Sequence, residues 1–82
     1  SAANSQDVLP VKILQQANDL LQQEILHDFI TARTGQALSF RKLQNIIIQL
    51  RTGSNLWEMH LSQKWKICKS GEELCLQQNQ QP

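Results

Sequence analysis

The stretch WEMHLSQKWKICKSGEELCL, residues 57–76, changes the chain's period from helical to two. Trp57, Met59 and Leu61 alternate with Glu58 and His60; Trp65 and Ile67 with Lys64, Lys66 and Cys68; Leu74 and Leu76 with Glu73 and Cys75. Such alternation sends one set of side chains inward and the other into solvent, the mark of half-buried strands. Placing Ser70-Gly71 at the centre of a two-residue hairpin turn pairs Ile67 with Leu74 and Trp65 with Leu76 on the inner face. The stretch is therefore expected to form a three-stranded antiparallel meander. In that register Cys68 faces Glu73 and Cys75 faces Lys66. The thiols are then diagonal, and a bridge between them would be strained. Two cysteines are also too few for a disulfide scaffold, so both are read as free thiols in a reducing compartment, cytoplasmic or organellar.

Upstream of the meander the period is helical. Ser39 is a ready N-cap, and Leu43, Ile46, Ile47 and Leu50 follow at three- and four-residue steps, predicting a helix over 40–51. Arg51 suits the negative end of that helix, and Gly53 supplies the stop. Before it, Ile13, Ala17, Leu20, Leu21, Ile25, Phe29 and Ile30 predict a first helix over 10–33, closed near Gly35. A break near Asn18-Asp19 would divide it in two. The expected fold class is α+β, with N-terminal helices packed on a small three-stranded antiparallel meander. Residues 1–8 are read as a flexible end, 9–77 as a single domain and 78–82 as a flexible tail, as in a domain belonging to a longer chain.

A chain of 82 residues buries only about 60% of its unfolded surface, which leaves room for one small core and none for a deep active site. No apolar run approaches the roughly 20 residues that span a bilayer, so no membrane partner is expected. The charge pattern is more telling. Arg33 to Lys69 holds seven of the eight basic residues against a single acid, Glu58. A net charge of +1 thus hides a basic middle behind an acidic front. That asymmetry suits a partner with a negative surface, of which a phosphate backbone is the commonest. Arg41 and Lys42 fall in the first turn of the second helix, off its apolar stripe. Lys64 and Lys66 share the outward face of the second strand, and Lys69 sits at its hairpin. Ser39 adds free backbone N–H groups at the same helix start, an arrangement that also holds phosphate. Arg33 and Arg51 stand behind these, because each also serves as a helix C-terminal charge.

Other chemistries lack their residues. There is no Gly-rich phosphate loop, no nucleophile elbow and no metalloprotease helix, so no catalytic residue is assigned. Glu58 and His60 share a strand face, but an exposed pair on so small a scaffold is better read as surface. Neither His27 nor His60 has a ligand-spaced neighbour, and the thiols are not a CxxC pair, so no metal is expected. Trp57 and Trp65 could stack on bases, yet their inward parity favours core packing.

From about Ile25 to Gln77 the order of residues resembles the substrate-binding domain of the tRNA(Ile)-lysidine synthetase family. The resemblance is carried by Ile25-Leu26 through Phe29, the loop Gly35-Gln36-Ala37-Leu38, and Ser39 ahead of Leu43, Ile46 and Leu50. Met59-His60-Leu61, Trp65-Lys66-Ile67, Lys69 and Leu74-Cys75-Leu76 continue it. The chain differs in having Leu38 where the family often has Pro, and Cys68-Lys69-Ser70 where it tends to have arginines and a tyrosine. The resemblance implies a tRNA-binding accessory domain. It would help position isoleucine tRNA while a separate catalytic domain, using ATP and Mg, attaches lysine to the wobble cytidine. This domain itself would need no cofactor and would be monomeric in isolation. The alternative reading is a protein-interaction module that docks through its first amphipathic helix.

Overall fold

The computed structural model describes residues 8–79. Its elements run β1 (Val8–Pro10), α1 (Val11–Gln15), α2 (Asp19–Thr34), α3 (Phe40–Thr52), β2 (Leu56–His60), β3 (Trp65–Ser70) and β4 (Glu73–Gln78). The α+β class holds, with helices first and an antiparallel sheet after them.

The first apolar stretch is divided at Asn18. Its backbone is extended, and its side-chain oxygen accepts from the Leu21 N–H at 2.9 Å, capping α2 afresh. Gly35 closes α2 in the left-handed region (φ 73°), where a side chain would be strained. Resetting the helix changes which residues meet the core. α2 buries Leu26, Phe29 and Ile30, whereas Ile13, Leu20 and Leu21 of the expected stripe stay 44%, 72% and 44% exposed. α3 follows its pattern closely. The Ser39 Oγ accepts from the Lys42 N–H at 3.2 Å, and Leu43, Ile46 and Ile47 are buried. At Gly53 a Cβ would lie 2.6 Å from the Gln49 carbonyl oxygen, so the close chain exit requires glycine.

The sheet has four strands in the order β1-β4-β3-β2, one more than the meander predicted. β1 pairs antiparallel with β4, setting Leu9 opposite Leu74. Pro10 ends this edge strand and starts α1, where its missing N–H costs nothing. Val8 therefore belongs to the folded unit, and the expectations for residues 1–7 and 80–82 lie outside the described residues. At the other end Gln77 and Gln78 extend β4. Asn79 is tied down too, its side-chain amide donating to the carbonyls of Ser62 (3.1 Å) and Gln63 (3.0 Å).

The hairpin turn is Gly71-Glu72, not Ser70-Gly71, because Ser70 pairs with Glu73. Gly71 carries the positive φ (64°) and Glu72 does not, as a II′ turn requires. A I′ turn at Ser70-Gly71 would have forced a positive φ on serine. The change of partner moves Ile67 opposite Leu76 and keeps both on the inner face. It also sets Cys68 directly opposite Cys75 instead of diagonal to it; both are free thiols.

Leu26, Ile30, Ile46, Ile67 and Leu74 are fully buried where α2, α3 and the inner sheet face meet. Each contributes about 1.5–3 kcal/mol by leaving water. Trp57 and Trp65 are half-buried against this core, as their parity predicts.

Candidate functional site

The predicted basic residues separate into groups with different surroundings. The start of α3 carries Ser39, Phe40, Arg41 and Lys42, all exposed. The Lys42 ammonium reaches across to donate to the Leu61 carbonyl at 2.8 Å. That bond fixes the start of α3 against the β2–β3 turn, Leu61 to Lys64. The turn is rigid: the N–H groups of Leu61 and Ser62 donate to the Trp65 carbonyl, and the Ser62 Oγ accepts from the N–H groups of Lys64 and Trp65. Asn79 closes it from behind, its N–H donating to the Lys64 carbonyl at 2.8 Å. Arg41, Lys42 and Lys64 thus border one junction. Lys64 lies in this turn and not on the strand face expected of it.

Phe40 stands at the same helix start, two residues before Lys42. It falls three residues before Leu43 and so on the apolar stripe, yet it is 60% exposed because it occupies the first helical position, beyond the core's edge. Periodicity alone would bury it; only its place next to the cap marks it as outlying. An exposed aromatic beside two cations can stack on an unpaired base while they meet phosphates. The Ser39 hydroxyl is occupied as a cap, so serine contributes geometry more than a free hydroxyl.

The remaining candidates are engaged elsewhere. Lys66 is on the outer sheet face, where its ammonium donates to the Glu58 carboxylate at 3.1 Å. That hydrogen bond, and then the charge of Glu58, raise the Lys66 pKa above the ordinary lysine value. The only acid in the basic stretch therefore neutralises one of its cations. Arg51 is paired with Asp19 at 2.6 Å and reaches the Gln22 side-chain oxygen at 3.2 Å, joining α3 to α2. Arg33 lies 4.4 Å from the centre of the Phe29 ring and donates to the Phe29 carbonyl at 3.4 Å. Both arginines work within the fold. Lys69 departs furthest from expectation: β3 continues through it, so it points inward and is 7% exposed.

On the outer face Cys68 and Cys75 sit side by side. Burial chiefly, then the neighbouring Cys75 and Glu58, push the Cys68 thiol above its ordinary pKa. His60 is opposite Lys66, and His27 contacts the adjacent Asp28 at 3.4 Å. Among the described residues no three His, Cys, Asp or Glu side chains gather as a metal site would need, and no helix is long and apolar enough to cross a membrane. No family model, curated protein sequence or solved structure matches the chain.

Proposed function

We propose that the chain is an RNA-binding module, a tRNA-recognition domain like that of the tRNA(Ile)-lysidine synthetases. In this reading it holds isoleucine tRNA while a separate domain performs the ATP-dependent ligation. One observation supports the reading: the Lys42–Leu61 bond holds the start of α3, which carries Arg41 and the exposed Phe40, against the turn that carries Lys64. Cations around a rigid turn suit a phosphate backbone, and their contacts would position the RNA without reading its sequence. The exposed ring adds a surface on which an unpaired base can stack.

A backbone-amide NMR titration tests it, using a CAU-anticodon isoleucine tRNA transcript, an unrelated tRNA and two salt concentrations. The reading expects salt-sensitive shifts at Phe40–Lys42 and Ser62–Lys64, larger for the isoleucine tRNA. Silence of these amides with both RNAs at low salt would refute it. The protein-interaction alternative draws on a separate observation, the exposed Ile13, Leu20 and Leu21 on α1 and α2. Concentration-dependent self-association lost in Leu20→Gln would favour that alternative.

A further inference from the structure

We infer that Cys68 and Cys75 form a thiol–disulfide exchange site, at which a small disulfide such as oxidised glutathione closes a reversible bond between β3 and β4. The hairpin register sets the two residues directly opposite each other, and both are free thiols. Opposite residues of an antiparallel pair have Cα atoms about 4.5–5.5 Å apart, inside the 4.4–6.8 Å that disulfides span. The two thiols already sense one another. After burial, the charge of Cys75 is the largest influence on the Cys68 thiol.

The pair is also within reach of a reagent. The helices pack on the inner sheet face, and both thiols lie on the other, half-buried. A groove of about 450 Å³ opens over them, lined also by Leu56, Glu58, Ser70 and Gln77. Glu58, the acid nearest the thiols, is ion-paired with Lys66 at 3.1 Å, which softens its repulsion of an anionic tripeptide disulfide.

The exchange takes two displacements. Because burial keeps the proton on Cys68, Cys75 is left as the attacking sulfur. Its thiolate attacks one sulfur of oxidised glutathione, forming a mixed disulfide and releasing one glutathione thiolate. The Cys68 thiol then loses its proton to water and attacks the Cys75 sulfur, releasing the second glutathione. The chain gives up two electrons and two protons, and the small disulfide is reduced to two thiols.

Geometry makes the bond a reversible one. Opposite Cβ atoms lie about 4.5–5.5 Å apart, wider than the roughly 3.5–4.5 Å of a relaxed disulfide. Closing the bond therefore draws the strands together, and a strained disulfide is the more easily reduced. While closed, it pins the β3–β4 register around the Gly71-Glu72 turn. None of this rests on the proposed RNA function.

The test equilibrates the whole chain with graded ratios of oxidised to reduced glutathione, quenches in acid, alkylates free thiols and reads the intact mass. In oxidising mixtures the wild type should lose two hydrogens and take no alkyl group, with residues 68 and 75 joined in the peptide map. The mixed disulfide should stay below about a tenth of the oxidised chain, because the second attack is intramolecular. Excess reduced glutathione should restore both thiols. Cys68→Ser and Cys75→Ser, exchanges at half-buried positions outside the core, should each stop at a single glutathione adduct. A wild type that also stops at glutathione adducts, or that bonds only between two chains, overturns the inference. So does an internal bond that survives about a hundredfold excess of reduced glutathione, since it would then be a structural bridge.

Discussion

The two faces of the sheet use the same strand in opposite ways. On the outer face Lys66 is matched by Glu58 across the strand pair, and Cys68 by Cys75. On the inner face Ile67 is sealed among Leu74, Leu76 and the helices, while Lys69, two residues on, buries its stem and leaves its ammonium at solvent. Strand parity, more than the number of lysines, decides which cations can meet a partner. The outer face is balanced within itself; the inner face is apolar except where it opens at Lys69.

Changes on the two faces should differ in size. Ile67→Ala, which leaves a cavity at the centre of the inner face, should cost about 3 kcal/mol in chemical denaturation. That is a large part of what so small a domain has. A loss below about 1 kcal/mol would mean that this face is not the core. Lys69→Met, two residues along, should stay within about 1 kcal/mol of the wild type, because its buried stem is replaced by an apolar chain of similar length and its ammonium reaches solvent. A loss above about 2 kcal/mol would show that the ammonium has a partner in the fold. Lys66→Gln, on the outer face, should leave the denaturation midpoint close to that of the wild type, since exposed ion pairs contribute little.

The outer face should show itself in the pH profile. The Cys68 thiol has a raised pKa in the folded chain, so folding holds its proton to higher pH than the unfolded chain does. The stabilisation is fully present below the ordinary thiol pKa and is lost as pH rises through the folded value. Denaturation midpoints should therefore fall on the alkaline side, and Cys68→Ala should flatten that fall. An unchanged alkaline slope in the variant would place its origin elsewhere.

Much of this was legible in the residues. The period-two pattern gave the correct inner face for β2, β3 and β4, and the i, i+3, i+4, i+7 pattern with Ser39 and Gly53 gave α3. β1 was not legible, because three residues ending in proline carry no period and find their meaning only beside β4. The turn lies one residue later than the pattern placed it, since Ser70-Gly71 and Gly71-Glu72 both keep the apolar faces aligned; only the latter spares Ser70 a positive φ. That one residue hid the Cys68–Cys75 pairing. Of the site, Arg41 and Lys42 were readable as cations off the helical stripe. Their meeting with the β2–β3 turn was not, because it rests on a contact from Lys42 to a backbone carbonyl 19 residues away. Phe40 and Lys69 were hidden for opposite reasons. One is an apolar residue beyond the edge of the core, and the other is a charged residue whose stem lies along its edge.

The most direct measurement compares the salt dependence of isoleucine tRNA binding in wild type, the Arg41→Gln/Lys64→Gln double variant and Lys66→Gln. If the α3–turn junction holds the backbone, the double variant should bind about tenfold more weakly or worse. Its slope of log affinity against log salt should also be shallower by about 2, while Lys66→Gln follows the wild type. Equal affinity and slope in the double variant and the wild type would contradict the account.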